Sequence, residues 1–281
     1  MKALVTGSTG FVGTHLVAAL RQDGWIVDRF RGDIRTPASA RKFRGDAVFH
    51  LAAQPNPGLS MERPVETLEV NALGTLRLLE ALRGFKGRIV LVSTGELYRP
   101  GTRPHQESDP LQPQNPYAVS KLLGEETARA HDRLDIVIAR PFNHTGPGQA
   151  ECYVCPSLAR QVLRSATVRV GQLESRRDFT DVRDVVRAYS LLFARGKRGE
   201  TYNVCSGRGR RIREILETLI RLTGRRVKVV VDPDRVRPPD TMIGNPSKLK
   251  RDTGWHPAIP LERTLRDLLD SIKPGGGRGT S

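Results

Sequence analysis

One stretch restricts the fold more than any other. In "KALVTGSTGFVGTHLVAAL" an apolar run ends in Gly7, Gly10 and Gly13, then continues into a segment where Phe11, Leu16, Val17 and Leu20 recur at helical spacing. A strand, a turn without side chains and a helix therefore follow one another directly. The bare turn lets the backbone approach a pyrophosphate, and the helix N-terminus favours its negative charge. In this setting the glycine triplet predicts a dinucleotide site at the edge of a parallel sheet.

The rest of the first half fits such a sheet. "WIVDRF", "DAVFHLAA", "GRIVLVST" and "DIVIARP" read as strands, and "PVETLEVNALGTLRLLEALRG" reads as one long helix between two of them. This alternation predicts an α/β, Rossmann-like doubly wound parallel sheet. After about residue 142 the pattern loosens into "NHTGPGQAECYVCPS", and later "DPDRVRPPDTMIGNPSK", loops that suggest binding. Helical patterns at "DVVRAYSLLFA", "IREILETLIRLTG" and "PLERTLRDLLDSI" punctuate this half. The expected division is a dinucleotide-binding domain over 1–142, rejoined by elements near 181–204, and a smaller C-terminal substrate-binding lobe over 143–281, of which 274–281 is expected to be disordered.

With 281 residues and 38% hydrophobic content the chain can bury a large core. No apolar run approaches the roughly 18 residues needed to span a bilayer, and "MKALVTGSTG" turns to glycine too early for a signal peptide, so a cytoplasmic location is expected. Cys152, Cys155 and Cys205 do not make a disulfide framework. "CYVC" has the spacing of a metal site but lacks a second pair of ligands, so no metal is expected. The net charge of +16 would attract any polyanion, but the arginines are scattered and only 5% of residues are aromatic, which disfavours nucleic acid.

"NPYAVSK" places Tyr117 and Lys121 four positions apart behind Pro116, a residue suited to the first position of a helix. On one helix face, the ammonium is expected to favour the phenolate and so lower the tyrosine's pKa. At the tip of the second strand, "DRFRGD" puts Arg31 near the position where an acidic residue usually holds the ribose, with Arg29 beside it and Asp28 inside the strand. A guanidinium suits a 2′-phosphate, which favours NADP(H), with NAD(H) as the other option.

The glycine turn, "HLAAQ", "VST", and Tyr117 with Lys121, in this order and spacing, resemble the extended short-chain dehydrogenase/reductase family, within the NAD-dependent epimerases/dehydratases. The resemblance covers nearly the whole chain. It implies that Tyr117 is the acid/base, that Lys121 lowers its pKa and holds the nicotinamide ribose, and that Thr94 hydrogen-bonds the reacting oxygen. It places Phe11 and Val12 with the glycines, and Asp33, Ile34, Leu51, Ala52, Ala53 and Pro141 along the cofactor. "ARPFNHTGPGQ", "VGQLESRRDFTDVRDVVRAY" and "YNVCSGRGRRIREIL" resemble the GDP-6-deoxy-4-keto-mannose reductase subgroup. That implies NAD(P)H-dependent reduction of the 4-keto group of a GDP-4-keto-6-deoxy sugar, giving GDP-6-deoxy-D-mannose (GDP-D-rhamnose). Gln54, Asn143, Arg177 and Arg237 would join Thr94 and Glu96 around this substrate. A homodimer through a four-helix interface is also implied.

Two residues depart from the pattern, Arg99 where the family has glycine and Gln172 where the subgroup has asparagine. "STGELY" also resembles the GDP-mannose dehydratases, in which Glu96 would take the C5 proton, so a 4,6-dehydratase is the alternative. A non-catalytic NADP-sensing protein is the distant one, since it needs the glycine turn but neither Tyr117 nor Lys121.

Overall fold

The structure is a computed structural model and describes residues 1–272; the expectation for 274–281 lies outside the described residues. Five strands, β1 (Lys2–Thr6), β2 (Ile26–Arg29), β3 (Ala47–His50), β4 (Arg88–Val92) and β5 (Asp135–Pro141), are joined by Thr201–Val204 in one six-stranded sheet. Every pairing in it is parallel, in the order Thr201–Val204, β5, β4, β3, β1, β2. The expected doubly wound sheet is present.

Neighbouring residues along each strand feed opposite cores, as the pleat requires. Ala3, Val5, Phe49, Val90 and Val137 pack with helix Phe11–Gln22, helix Val182–Arg195 and the fully buried Trp255. Leu4, Val48, Ile89 and Ile136 pack on the other side, with Leu78, Leu79 and Ala128 from helices Gly74–Ala81 and Pro116–Ala130. Because both faces are covered, the strands read as continuous apolar runs.

The long helix expected from Pro64 is not regular throughout. Its middle, Glu69–Leu73, is π-helical, and the α-helix resumes at Gly74 and ends at Ala81. The buried Asn71 lies in this widened turn. Its side chain accepts from Gln54 N at 2.7 Å and donates to Gln54 O at 3.0 Å and to Ser120 Oγ at 2.9 Å. Turns of this kind recur at functional sites, and this one ties the loop after β3 to the Tyr117 helix.

Beyond β5, helices Val154–Arg164, Ile212–Thr223 and Leu261–Ile272 share a separate core with Val168, Val170 and Phe179. Three short strands, Arg176–Asp178, Gly209–Arg211 and Thr241–Met242, form a small sheet beside it. Their junction is pinned by buried Asp178, which accepts from Ser206 N at 2.8 Å and Gly207 N at 2.9 Å. Helix Val182–Arg195 and strand Thr201–Val204 return to the large sheet.

Candidate active site

In the sheet, β1 lies between β2 and β3, so the chain direction across the sheet reverses there. Open α/β sheets bind ligands beyond the strand ends at such a point. A cavity of about 1120 Å³ opens at that place.

Its first wall is mostly backbone. Gly7 has φ +66°, and a Cβ there would meet Ala52 N at 2.7 Å, so only glycine lets β1 and the loop after β3 come this close. A Cβ on Gly13 would run into the Gly7 carbonyl. Thr6 Oγ1 accepts from Leu51 N and Ala52 N, both at 3.1 Å, and bonds His50 Nδ1 at 2.8 Å. His50 Nε2 meets Thr75 Oγ1 at 3.0 Å. Burial, then the nearby Lys121 charge, takes His50 down to about 3, so it is neutral.

Gly7, Gly10, Phe11, Val12 and Gly13 line the cavity from the turn, and Leu51, Ala52, Ala53 and Pro141 line it from the ends of β3 and β5. Arg29, Arg31, Asp33 and Ile34 line it beyond β2. The Arg29 guanidinium donates to Ser8 Oγ and Ser8 O, each at 3.3 Å, which holds it across the turn. Asp33 accepts from Arg35 Nε at 2.8 and 3.0 Å, and these bonds hold its carboxyl below the usual range.

The second wall is built from side chains. Pro116 opens helix Pro116–Ala130, Asn115 Oδ1 caps it by accepting from Ala118 N at 2.8 Å, and Ser60 Oγ accepts from Tyr117 N at 3.1 Å. Thr94, two residues past the end of β4, accepts from Glu96 N at 3.2 Å, and its hydroxyl acts on Tyr117 to lower the phenol's pKa. Thr94, Glu96, Tyr117 and Asn143 all line the cavity. Gly95 packs against the Phe142 ring, where a Cβ would approach to 2.9 Å, so no side chain fits between Thr94 and Glu96.

The expected lowering of the Tyr117 pKa is reversed. Burial pushes the phenol up, the Glu96 carboxylate adds to this, and only the Thr94 hydroxyl opposes them. Lys121 does share the helix face but lies beneath the cavity, with Nζ donating to Val92 O at 2.5 Å, and burial takes it down to about 8. Glu96 is itself raised by burial, against the Asn115 amide, which donates to it at 3.2 Å, and the Arg177 charge.

Three expected substrate residues are not on the cavity wall. The Gln54 amide turns back to Asn56 O at 3.1 Å and Thr67 Oγ1 at 3.0 Å. Arg177 is held by Asp240 at 2.8 and 2.9 Å, though its charge reaches Glu96. Exposed Arg237 bonds Asp234 O at 3.1 Å. The two departures from the family pattern cause no strain: no described non-glycine residue has positive φ, and Arg99 is exposed. Gln172 donates to Arg237 O at 2.8 Å and so tethers that loop.

The sequence reading omitted several cavity residues, among them His144, Gln149, Cys152 and Tyr153. Tyr153 acts electrostatically on Tyr117, and its own hydroxyl is raised by burial, then by Cys152 and Glu96. The ring of His144 stacks on Phe11 at 6.0 Å, joining this loop to the glycine-turn helix. The available signal was glycine: Gly146 and Gly148 have φ +158° and +84°, which marks "TGPGQ" as a specialised turn.

A 38% identical relative is the GDP-6-deoxy-D-mannose reductase of Pseudomonas aeruginosa, aligned over 95% of this chain and 96% of that protein. A UDP-glucose 4-epimerase of Streptomyces lividans is 31% identical over 92% of each. Among solved structures, RMD from Pseudomonas aeruginosa complexed with NADPH superposes with a TM-score of 0.90 at 37% identity, covering 96% of this chain and 98% of that one. The profile of the NAD dependent epimerase/dehydratase family matches residues 3–205, and the chain belongs to that family.

Proposed function

We propose that this protein uses NAD(P)H, with NADPH preferred, to reduce the 4-keto group of a GDP-4-keto-6-deoxy sugar to GDP-6-deoxy-D-mannose. The observation that carries this reading is the Tyr117–Thr94 hydroxyl pair on the wall of a cleft whose other wall is the glycine turn. The similarity to a GDP-6-deoxy-D-mannose reductase supports the substrate, and the NADPH complex of RMD supports the cofactor. The cradle fits a dinucleotide: Gly7 and Gly13 leave no room for a Cβ, and Arg29 and Arg31 suit a 2′-phosphate.

A reduced nicotinamide, when bound, supplies the hydride. Tyr117 gives its phenolic proton to the oxygen at sugar C4. The phenol is protonated at neutral pH and so holds the proton it must give, while the Thr94 hydroxyl opposes the rise that burial imposes. Thr94, fixed by Glu96 N–H, donates to the same oxygen as charge builds on it. Lys121 supplies positive charge beneath the pair. We assign Asn143, which lines the cavity, to the nucleotide-sugar side; Arg177 and Arg237 would reach a diphosphate there only by leaving the contacts to Asp240 and Asp234 that hold them.

No helix among the described residues is long and apolar enough to cross a membrane. We infer a cytoplasmic enzyme, in keeping with three free cysteines, and a homodimer. Val65, Leu73, Leu76, Val119 and Leu123 are exposed on the long helical segment that begins at Pro64 and on helix Pro116–Ala130, and a second copy pairing these segments across a twofold axis would cover them.

The test supplies GDP-mannose, a separate GDP-mannose 4,6-dehydratase and NADPH. Stoichiometric loss of reduced-nicotinamide absorbance with formation of GDP-6-deoxy-D-mannose is expected only when this protein is added. Glu96, a half-buried carboxyl beside Tyr117 with a raised pKa, favours a second reading as a 4,6-dehydratase. Consumption of GDP-mannose by this protein alone, without net cofactor oxidation, would select that reading.

A further inference from the structure

A buried ion pair joins the Tyr117 helix to β5 and lines no part of the cavity. Glu125 is 0% exposed and Arg140, on β5, is 2% exposed. Arg140 Nε donates to Glu125 Oε1 at 2.8 Å and Nη2 to Oε2 at 2.7 Å. Arg129 Nη2 adds a bond to Oε2 at 2.8 Å. Arg140 Nη1 donates to Tyr98 Oη at 2.7 Å, and that hydroxyl donates to Asn203 Oδ1 at 2.9 Å. Desolvating two such ions costs several kcal/mol each, and apolar residues of similar volume often serve stability as well or better. Folding alone is therefore a weak reason for this pair.

Lys121 supplies a better one. It sits one helical turn before Glu125 on the same face and is 7% exposed. An ammonium stripped of water tends to lose its proton, and Lys121 is taken down to about 8 by burial while the Glu125 carboxylate pulls it back up. The other groups that face it offer little help. His50 on β3 is neutral, Val92 on β4 contributes a carbonyl, and Tyr117 on its own helix is protonated. Arg140 and Arg129 lie behind Glu125. Glu125 also needs support: burial raises it, and the hydrogen bonds and charge of Arg140, with smaller contributions from Ser93 and Arg129, outweigh burial and keep it ionised.

We propose that Glu125, clamped by Arg140, is a positioning residue for the reaction: its buried carboxylate keeps Lys121 charged, and Arg140 keeps that carboxylate ionised and aimed. The part of this inference that concerns turnover rests on the reductase reading; the charge of Lys121 does not.

The test titrates Lys121 in protein carrying carbon-13 at the lysine Cε, with its resonance assigned by its loss in Lys121→Met. Glu125→Gln is compared with Glu125→Gln/Arg140→Met, which removes both charges and so avoids stranding a buried guanidinium. The midpoint near 8 is expected to fall by about one pH unit in both, and Glu125→Asp is expected to restore most of it. The alkaline loss of kcat with NADPH should move by the same amount, with KM little changed. An unshifted midpoint in the folded double variant overturns the proposal, and so does a shifted midpoint with an unmoved kcat limb. A shifted midpoint in a protein that fails to reduce any GDP-4-keto-6-deoxy sugar supports the electrostatic role and rejects the reductase reading instead.

Discussion

The two walls of the cleft are made of different materials. From β1 and β3 the protein offers backbone: Gly7 and Gly13 pressed against neighbouring peptide groups, strand ends stitched by Thr6, and a histidine kept neutral. From β4 and the Tyr117 helix it offers ionisable side chains whose pKa values are displaced, Tyr117 and Glu96 upward and Lys121 downward. A backbone wall holds a fixed shape and charge across pH, which suits a cofactor that must be gripped in the same way every time. A side-chain wall titrates, which suits proton transfer. Damage to one wall should therefore cost binding, and damage to the other should cost turnover at unchanged binding.

The largest expected effect tests the side-chain wall. Tyr117→Phe removes the proton donor and keeps the ring, so kcat should fall about 10²–10⁴-fold while NADPH affinity, read by nicotinamide fluorescence, stays within a factor of two or so. If NADPH affinity falls as steeply as kcat, the walls are not separate in function. If turnover survives, the acid lies elsewhere, and Tyr153, which acts on Tyr117 and is itself raised by Glu96 within the same cavity, is the first residue to examine.

Next comes the backbone wall. Gly13→Val would push a branched side chain onto the Gly7 carbonyl, which can yield only by moving the turn. Overpacking against backbone is expected to cost about 3 kcal/mol, seen as loss of measurable NADPH binding and a lower melting temperature. The titrating groups Glu96, Tyr117 and Lys121 are untouched, so their own titration should be unchanged. Normal NADPH affinity in this variant would mean that the cofactor does not enter along the turn.

The same division explains what could be read from the chain beforehand. Strands buried on both faces must be apolar throughout, so β4 and β5 stood out, and a strand–glycine–helix unit has few other meanings. Pro116 announced the helix that carries Tyr117. What escaped depends on contacts between residues distant in sequence. The π-helical turn carries Asn71 with its bonds to Gln54 and Ser120, and nothing in "EVNAL" reports those distant partners. The strands around Asp178 are two or three residues long and partly charged, and pairing alone defines them. The direction of the Tyr117 shift was missed because helical spacing gives proximity to Lys121 but neither the burial nor the Glu96 carboxylate that outweighs it. Glu125 and Arg140 did leave a trace: an arginine inside the apolar run "DIVIARP", and a glutamate one turn after Lys121.

The smallest expected effect concerns the end of the backbone wall, the one place where charged side chains replace peptide groups. Arg29 is held across the glycine turn by its two bonds to Ser8, and Asp33 is occupied by Arg35, which leaves Arg31 as the lining cation with the fewest commitments. Arg31 is exposed, so a contact to a 2′-phosphate there would be screened and worth about 1 kcal/mol, roughly a fivefold change in affinity. Arg31→Ala should weaken NADPH by that factor and leave NADH unchanged, and added salt should shrink the difference between wild type and variant. Arg29→Ala should weaken both cofactors, because it also frees the turn at Ser8. Equal losses for NADPH and NADH in Arg31→Ala would remove the 2′-phosphate from this position and make the choice of cofactor a property of the turn itself.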